Sequence, residues 1–596
     1  LVTATISYHP QQNDNYCVGI PMSVEVAGYR KRTTQIDSKG RYTEISDYYD
    51  ANNYLSTTME YDNFGNCTRI VYPNSSYSYV YDSEVHTYPV SVRDTFGHTS
   101  YAQDYDFRFG IPLKIISKDS AEMHYTIDNW GRLLTIKGPK EIHVPYTIRY
   151  QYNNVCFDTI NRVITKPAST YTFNYDPEYP TNDIHVYTYS DGLGRIVQVK
   201  KDAEVDGVEK MVVSGKVMYD AFGRAIASYY PVVQNLGDTT YCTQTDTVAP
   251  STSTYDILDR PLLQTAPDGS VQSFEYDFML DLHLGHTLFS TTVIDPNEHP
   301  SIVLKDVNGQ QWGIKPAGEE FTYFNYNLIG ECVAVYSPLG DDFNRGYSYD
   351  MLGRKIGYGE GELNEQYIYS GANLAQKNIH WFDDYSNTNQ DKSITYTYLH
   401  NRLLSMQSNE YNMPTEYVYD DALAHGKLVA IKDESGIQTF EYGSMGEVVK
   451  STRAYALPSQ PAQPVAFSTW FTYDSWGRMK DITYPDGEVL TYNYDRGGQL
   501  QSMQGVKDNF TYDYLINQKY DKFGAKTEMA YGNFMVTKYM YNPLNLRLDS
   551  LVSSLQSNNY FSMGYRYDAK GNVTQLHSKY ICFNGNNPIT QTFVYD

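Results

Sequence analysis

Tyrosines placed two residues apart recur along the chain, and most of these pairs stand directly before a turn signal. Residues two apart share one face of a β-strand, whereas a helix brings together residues three or four apart. The period of two therefore predicts strands rather than helices throughout. The pairs are Tyr79/Tyr81, Tyr187/Tyr189, Tyr347/Tyr349, Tyr396/Tyr398, Tyr417/Tyr419, Tyr492/Tyr494, Tyr512/Tyr514, Tyr539/Tyr541 and Tyr565/Tyr567.

The predicted strands mix polar and apolar residues on both faces. In segment 478–484 one face carries two cations followed by an isoleucine and a tyrosine. The other face carries Met479, Asp481 and Thr483. Each sheet of a β-sandwich needs one dry face, which would give a clean alternation. The mixed faces favour a sheet that water reaches on both sides.

A turn motif, Tyr-Asp-x-x-Gly, follows many strands and is often completed by Arg. A type I turn favours Asp at its first position, where the side chain bonds the backbone, and Gly at its fourth, where φ becomes positive. Such a turn closes a hairpin through a bulge. The motif is predicted to be structural, making turns and a cross-strand aromatic ladder. Its residues are Tyr61, Asp62 and Gly65; Tyr219, Asp220, Gly223 and Arg224; Tyr349, Asp350, Gly353 and Arg354; Tyr473, Asp474, Gly477 and Arg478; and Tyr567, Asp568 and Gly571.

The arginines that complete the motif are predicted to lie along tyrosine rings and to pair with carboxylates of the next repeat. Some copies depart from the motif. Gln499 stands where the turn after Tyr494 should have Arg, and Asp259 stands where the turn after Tyr255 should have Gly. Such departures are ordinary in repeats.

A second turn signal, Pro-Asp-Gly, occupies 267–269 and 485–487. Proline supplies the φ near −65° that the second turn position needs. Two strands and two turns then make one unit, and the tyrosines that begin successive units are 21 or 23 residues apart, as between Tyr473 and Tyr494 and between Tyr326 and Tyr349. A constant period marks a repeat protein, in which each unit is stabilised by its neighbours.

These patterns predict an all-β fold of repeated antiparallel hairpins. At about 10 residues per strand there would be roughly 50 strands, and a sheet of that length must twist and coil. The prediction is one domain, 1–596, whose single long sheet spirals into a hollow shell. Less regular segments near 153–187, 231–253, 278–312 and 456–468 are expected to be insertions or longer loops, and the third is either a strand-poor cap or unrecognised repeats.

Composition narrows the function. The chain has 61 Tyr against 23 Phe and 5 Trp, which suits rings that pack on one side and reach water on the other. A net charge of −23 argues against nucleic acid as a partner. The six cysteines are far apart without a Cys-x-x-Cys motif, which favours free or buried thiols. No stretch approaches the roughly 18 apolar residues of a membrane span.

Candidate chemistry is sparse, and no catalytic residue, metal ligand or cofactor is predicted. The densest histidine cluster, His283 and His286 with Asp281 and His299 nearby, lacks helical metal-ligand spacing and is interpreted as solvated loop residues. The turn aspartates lack the spaced carboxylates of a calcium loop. Ser444 lies outside any Gly-x-Ser-x-Gly nucleophile motif.

The order Tyr-Asp-x-x-Gly-Arg, strand, Pro-Asp-Gly, strand, Tyr-x-Tyr-Asp resembles the RHS or YD repeat of bacterial polymorphic toxins, toxin-complex B and C subunits and animal teneurins. The resemblance extends from about Ile36 to Asp596. It implies a spiralling β-shell that is not an enzyme and that encloses a C-terminal toxin or effector domain. The family's self-cleaving core segment is not found in this sequence, which ends where a turn should begin and is therefore expected to be a fragment.

The resemblance also implies partners and a location. The expected partners are the protein's own C-terminal cargo or a partner shell subunit, together with secretion machinery, and the expected location is outside the cell or on its surface. The alternative is a cell-surface adhesion or carbohydrate-binding repeat protein, because tyrosine-rich hairpins also stack on sugar rings. A polysaccharide lyase is the least favoured, since no catalytic residues cluster.

Overall fold

A computed structural model describes residues 3–10, 18–141, 143–154, 156–158, 163–166, 168–176, 183–281, 285–383, 388–422, 425–457, 460–580 and 589–595. In these ranges the chain consists of strands joined by short turns, with two single 3₁₀ turns, Pro139–Glu141 and Asp341–Phe343, and no α-helix. The predicted all-β fold is confirmed.

The strands of the amino-terminal part are β1 (Thr5–Tyr8), β2 (Pro21–Val26), β3 (Arg30–Ile36), β4 (Tyr42–Tyr48), β5 (Tyr54–Tyr61), β6 (Cys67–Tyr72), β7 (Ser75–Tyr81), β8 (Pro89–Arg93), β9 (Thr99–Asp106), β10 (Ile111–Ile116), β11 (Glu122–Ile127), β12 (Leu133–Lys137), β13 (Ile148–Asn153), β14 (Cys156–Asp158), β15 (Val163–Lys166), β16 (Ala168–Asn174), β17 (Ile184–Ser190), β18 (Ile196–Val205), β19 (Val208–Val213), β20 (Val217–Tyr219), β21 (Ala225–Ser228) and β22 (Val232–Asn235).

The strands that follow are β23 (Ser251–Tyr255), β24 (Pro261–Thr265), β25 (Val271–Asp281), β26 (His286–Ile294), β27 (Pro300–Lys305), β28 (Gln311–Lys315), β29 (Thr322–Tyr326), β30 (Cys332–Tyr336), β31 (Arg345–Tyr349), β32 (Lys355–Glu360), β33 (Leu363–Ser370), β34 (Asn373–Asp383), β35 (Thr388–Leu399), β36 (Arg402–Ser408), β37 (Thr415–Asp420), β38 (Lys427–Asp433), β39 (Gly436–Tyr442), β40 (Val448–Leu457), β41 (Gln460–Tyr473), β42 (Met479–Thr483), β43 (Val489–Tyr494), β44 (Leu500–Lys507), β45 (Phe510–Tyr520), β46 (Lys526–Tyr531), β47 (Met535–Tyr541), β48 (Leu548–Leu555), β49 (Asn558–Tyr567), β50 (Val573–Tyr580) and β51 (Ile589–Thr592).

The strands form two long antiparallel sheets, one of 18 strands drawn from β1 to β22 and one of 31 strands drawn from β20 to β51, besides the pair β14–β15. The sequence predicts one continuous sheet, but the chain changes neighbours after β19. Strand β22 pairs back with β19, whereas β20 and β21 begin the second sheet. Gly215 lies at this crossing, where a Cβ atom would collide with the carbonyl oxygen of Tyr229. Only glycine lets the two backbones approach this closely.

The chain folds as two compact units. Unit 1 comprises Leu1–His124, Leu304–Lys315 and Glu320–Ser468, and unit 2 comprises Tyr125–Val303, Pro316–Glu319 and Thr469–Asp596. Each unit is built from two stretches of hairpins that lie far apart in sequence. We call the stretch nearer the amino terminus the early strip and the other the late strip, which are 3–124 and 320–468 in unit 1, and 125–303 and 469–595 in unit 2.

Most side chains are only partly buried, as the mixed strand faces predict. The cluster of buried residues that stands out in the described chain consists of Tyr171, Tyr187, Tyr189 and Met211, with partly buried hydrophobic neighbours that include Tyr241. Segment 236–250 supplies part of the cover and has no regular secondary structure. This segment falls within the irregular region predicted near 231–253.

The other three irregular regions contain strands. Region 278–312 holds the ends of the β25–β26 hairpin and strand β27, region 153–187 holds β14 to β16, and region 456–468 lies at the β40–β41 hairpin. Parts of all three lie outside the described residues. No helix in the described ranges has the length and apolar character needed to cross a bilayer.

Candidate functional site in the repeat turns and the seams between strips

The turn at Asp474 shows why the repeat needs its residues. One carboxylate oxygen, Oδ1, accepts the backbone N–H groups of Trp476 and Arg478, both at 2.9 Å. The N–H of Gly477 donates to the carbonyl of Asp474 at 3.1 Å, and φ of Gly477 is 75°. Aspartate therefore satisfies the donors inside the turn, and glycine provides the left-handed residue that closes it.

The same arrangement recurs at the other predicted turns. Asp62, Asp220, Asp350 and Asp568 each accept backbone N–H groups of their own turn through Oδ1. The strand register shifts at the residue pair that ends with the motif tyrosine, for example between Thr472 and Tyr473. The predicted bulge is therefore present, and it re-aims the strand as the hairpin closes.

The motif arginines contact tyrosine rings, as predicted. The guanidinium carbon of Arg478 lies 4.6 Å from the ring centre of Tyr494, and that of Arg354 lies 4.2 Å from the ring of Tyr369. The hydroxyl of Tyr494 donates to the carbonyl of Met479 at 2.7 Å. Ring and guanidinium together connect one repeat to the next.

The predicted carboxylate partner was wrong for most of these arginines. Arg478 Nε donates at 2.6 Å to Oδ2 of Asp474 in its own turn, and Arg354 does the same with Asp350. Because Oδ1 is occupied by backbone donors, Oδ2 remains for an arginine that folds back over four residues. Arg224 also reaches Asp259 in the next YD turn, at 3.0 Å.

Hydrogen bonds hold the pKa of several turn carboxylates below the ordinary value. For Asp220 the backbone N–H of Arg224 is the largest cause, and its side chain adds to the effect. Burial opposes ionisation of Asp568, but bonds from Asn572, Asn297 and backbone N–H groups outweigh it and lower the pKa to about 2. These carboxylates stay ionised at any moderately acidic pH.

The second turns also form as predicted. The N–H of Gly487 donates to the carbonyl of Tyr484 at 3.0 Å, and that of Gly269 donates to Ala266 at 2.9 Å. Since consecutive strands are antiparallel, their turns alternate between the two long sides of each strip, where the strands end, and we refer to these sides as edges. We call the edge carrying the Tyr-Asp turns the YD edge and the opposite edge the second-turn edge.

In unit 1 the early and late strips meet along a seam of partly exposed contacts. Arg30 donates to the carbonyl of Met351 at 2.9 Å and to Glu331 at 2.6 Å, spanning 321 and 301 residues of sequence. The N–H of Met351 donates to the carbonyl of Tyr49. Farther along, Lys427 pairs with Asp119 at 3.2 Å.

In unit 2 the seam contains a fully buried ion pair. Arg496 donates to Oδ2 of Asp202 through Nε at 3.0 Å and a terminal nitrogen at 2.8 Å, and neither side chain is exposed. The same arginine donates to the carbonyl of Asp183, and the backbone N–H of His185 donates to Asp202. Oδ2 of Asp202 thus accepts the bonds from both Arg496 and His185, whereas Oδ1 is buried without a hydrogen-bond partner among the described residues. The pair depends on its Oδ2 contacts to offset the cost of burying both charges.

Asp495 is buried beside this pair. Its Oδ1 accepts the N–H of Gln499 at 2.8 Å, and Lys201 donates to the neighbouring carbonyl of Gly497. Burial and the nearby charge of Glu204 outweigh that hydrogen bond and raise the pKa of Asp495 to about 6. The pKa of this carboxyl group is therefore shifted in the opposite direction from the pKa values of Asp220 and Asp568.

Segment 236–250 is attached to the sheet in unit 2 by buried polar contacts. The side chain of Gln198 accepts from the backbone N–H of Cys242 and donates to its carbonyl, each at 2.9 Å. The fully buried Lys200 donates to the carbonyl of Asp238 at 3.1 Å. The hydroxyl of Tyr189 donates to the backbone carbonyl of Thr239. The segment thus covers one patch of an otherwise half-exposed sheet.

Within the described ranges, no group of three or more His, Cys, Asp and Glu side chains is placed to hold a metal ion. His283 lies outside the described residues, and the side chains of Asp281 and His286 are not described. Cys67, Cys242 and Cys332 are free thiols. In each unit the hairpins form two strips that are joined along a seam.

Sequence reasoning missed the seam residues Arg496 and Asp202 and also Gln198, which attaches segment 236–250. A signal was present in the turn after Tyr494. With Gln499 in place of arginine, Asp495 lacks the guanidinium that Asp220, Asp350 and Asp474 have, and Arg496 appears instead inside the turn. The departure that looked like drift marks the position where the turn meets the early strip.

Comparisons with known proteins agree with this geometry. The RHS repeat family matches residues 473–507, and a domain of unknown function, DUF6443, matches residues 162–323. Among curated proteins, none is similar in sequence. The DUF6443 match includes the covered patch and the buried pair's Asp202.

Solved structures share the fold at low sequence identity. The TcdB2–TccC3 crystal structure is 17% identical with a TM-score of 0.78, covering 99% of this chain and 34% of that one. The Photorhabdus luminescens Tc holotoxin pore is 14% identical with a TM-score of 0.81, covering 99% and 39%. TcdB2–TccC3 without its hypervariable C-terminal region is 16% identical with a TM-score of 0.77, covering 100% and 36%.

This chain spans little more than a third of the length of those solved structures. Its repeated turns carry the residues that the RHS repeat requires, at the predicted positions and with the predicted bulge. The family match and the shared fold point the same way. Residues 473–507 therefore carry an RHS repeat, and the chain has the fold of the Tc toxin structures that it resembles.

Proposed function

We propose that this chain forms part of the wall of a secreted, non-catalytic bacterial shell that encloses a toxin or effector domain lying outside this chain. The observation that carries the proposal is the seam. In both units, contacts join hairpins that are about 300 residues apart, from 271 residues between Asn297 and Asp568 to 334 between Lys140 and Asp474. The nearly constant offset between the early and late strips of each unit is what supports a wound wall.

The size of the offset supports an enclosed space. About 300 residues correspond to roughly 30 strands, or a path of roughly 140 Å at about 4.8 Å per strand. A single layer of side chains reaches only about 5 Å from its sheet, half the usual separation of packed sheets. A wound wall of one layer would therefore leave an interior space, which supports a cargo inside it.

The chemistry of the wall supports a structural role. The repeated turn residues bond backbone donors, neighbouring rings and carboxylates, which are structural contacts. The net charge of −23 favours a basic cargo or a partner subunit with a basic surface. The likeness to a structure that lacks its hypervariable C-terminal region supports a wall that forms independently of its cargo.

Protease protection in the natural full-length protein tests the proposal. A domain enclosed by the shell should resist digestion for as long as the wall stays intact. The Arg496→Ala variant should make it digestible, while Arg32→Ala, which removes an exposed pair within one strip, should not. Digestion of the downstream domain at once in the unaltered protein, or an electron-microscopy map without an enclosed space, would refute enclosure.

A further inference from the structure

The seam in unit 2 always joins unlike edges. The late strip contributes its YD edge, with the turns that begin at Asp474, Asp495, Asp521, Asn542 and Asp568. The early strip contributes its second-turn edge or the strand ends beside it. The interface is therefore directional, and each strip keeps one edge of each kind outside the seam.

The contacts also have a charge direction. Cations near the YD edge of the late strip meet carboxylates of the early strip in four ion pairs. The pairs are Arg478–Asp176 at 3.4 Å, Arg496–Asp202 at 2.8 Å, Lys522–Asp246 and Lys570–Asp295 at 3.0 Å. The second-turn edge thus presents acidic groups, and the YD edge presents basic ones.

Apolar residues in the YD turns belong to the same contact. The indole N–H of Trp476 donates to the carbonyl of Tyr175 at 3.0 Å, and the ring of Phe523 packs edge-on against Tyr230 with centres 5.0 Å apart. These two side chains are 40% and 36% exposed. The turn position that directly precedes the glycine is therefore the one that docks.

The YD edge of the early strip has apolar residues at the same turn position, but there they face solvent. Its side chains at that turn position are far more exposed than those in the seam, with Trp130 at 79%, Leu193 at 80%, Phe222 at 81% and Leu258 at 66%. Each of these turns also ends in an arginine. They are Arg132, Arg195, Arg224 and Arg260.

The complementary edge is exposed on the same molecule. The second turns of the late strip include the exposed carboxylates Asp486 and Asp508, of which Asp486 also pairs with Lys507 of the same strip at 2.6 Å. They also include the apolar residues Phe510 and Phe534, which are 68% and 74% exposed. One copy therefore offers both halves of the interface that the seam already uses.

We propose that the exposed YD edge of the early strip in unit 2 docks the second-turn edge of a second copy of this chain, repeating the seam between molecules. Acidic turns of one copy meet the arginines of the next, and the aromatic and leucine tips are covered as Trp476 and Phe523 are. Such an interface is head-to-tail, so it adds copies in one direction. The proposal does not depend on enclosure of a cargo.

Sedimentation velocity on the full chain across a range of about 1 to 100 µM tests the proposal. The unaltered chain should associate with concentration. Leu193→Ser with Phe222→Ser alters the YD edge, and Asp486→Lys with Asp508→Lys alters the second-turn edge. Each double variant should lower the association constant at least tenfold. Leu263→Ser with Ile516→Ser removes apolar groups of 39% and 40% exposure from the sheet faces and should leave association unchanged.

Mixing the two edge variants gives the decisive result. Each retains one working edge, so a head-to-tail interface predicts one-to-one dimers in the mixture and no longer assemblies. Folding is checked for each variant by circular dichroism, and either variant tests the proposal if the other fails to fold. A chain that stays monomeric to 100 µM, association that survives both edge changes, or a mixture without dimers would each overturn the proposal.

Discussion

The seams of the two units both join an early strip to a late strip, but their ion pairs differ in exposure to solvent. In unit 1 the pair Arg30–Glu331 leaves 40% of the arginine side chain exposed, whereas in unit 2 neither Arg496 nor Asp202 is exposed. Exposed pairs contribute about 0–1 kcal/mol, but removing one partner of a buried pair costs about 3–5 kcal/mol. The repeat is therefore the same in both units, while the stability of its joints is not.

Removing the buried ion pair between Arg496 and Asp202 should have the largest effect on stability. Arg496→Ala should lower the free energy of unfolding of unit 2 by about 3–5 kcal/mol, because Asp202 is left buried without its cation. Arg30→Ala in unit 1 should cost less than about 1 kcal/mol. Urea unfolding followed by hydrogen exchange separates the units, and equal losses for the two variants would show that burial does not distinguish the seams.

The covered patch gives the next effect. Gln198→Ala should destabilise unit 2 by about 2–3 kcal/mol, since the N–H and carbonyl of Cys242 both lose a buried partner. Gln35→Ala, which loses an exposed bond to Glu44 in unit 1, serves as the control and should change stability little. Calorimetry measures both, and a neutral Gln198 variant would contradict a structural role for segment 236–250.

The buried carboxyl group predicts an unusual pH dependence. The pKa of Asp495 is about 6 in the folded chain, above its ordinary value of 3.8, so the folded state binds this proton more strongly than the unfolded state. The contribution of Asp495 to the stability of the folded state therefore becomes more favourable as pH falls through 6, and it levels off near pH 3.8. Asp495→Asn should add about 2 kcal/mol of stability at pH 7 and nothing near pH 4.

Unfolding at a series of pH values provides the measurement, with Asp568→Asn as the comparison. The pKa of Asp568 is lowered to about 2, so its contribution is present above about 3.8 and is lost only below that value. The Asp568 variant should therefore differ from the unaltered chain by a constant amount between pH 7 and pH 5. A pH-independent difference for Asp495→Asn would show that this carboxyl is hydrated.

The smallest effect should be equal in the two units. Gly65→Ala in unit 1 and Gly477→Ala in unit 2 both place an alanine at positive φ, 101° and 75°, with no atom closer than 4.0 Å to the new methyl group. Each should cost about 1–2 kcal/mol from backbone strain alone. Gly346→Ala, in open space without positive φ, is the control. Thermal unfolding that gave unequal costs for Gly65 and Gly477 would mean that the turns also differ between units.

Much of the fold follows from local sequence because its causes are local. The turn at 474–478 is predictable since Asp474 bonds its own backbone and Gly477 removes the strain of the left-handed residue. The stacking of Arg478 on Tyr494 is predictable as well, since the two lie in neighbouring hairpins. Its ion pair with Asp474 was not foreseen, because the pattern does not show that Oδ1 is already occupied.

The sequence by itself determined an all-β chain of hairpins, the residues of both turn types, the bulge and the half-wet faces, since each depends on side chains and backbone a few residues apart. The tertiary structure alone decided that β22 returns to β19, that segment 236–250 covers one patch and that Arg496 meets Asp202. The contact of Arg496 with Asp202 joins positions 294 residues apart. The turn after Tyr494 departs from the motif, but nothing in that local departure identifies which distant copy of the repeat it will meet.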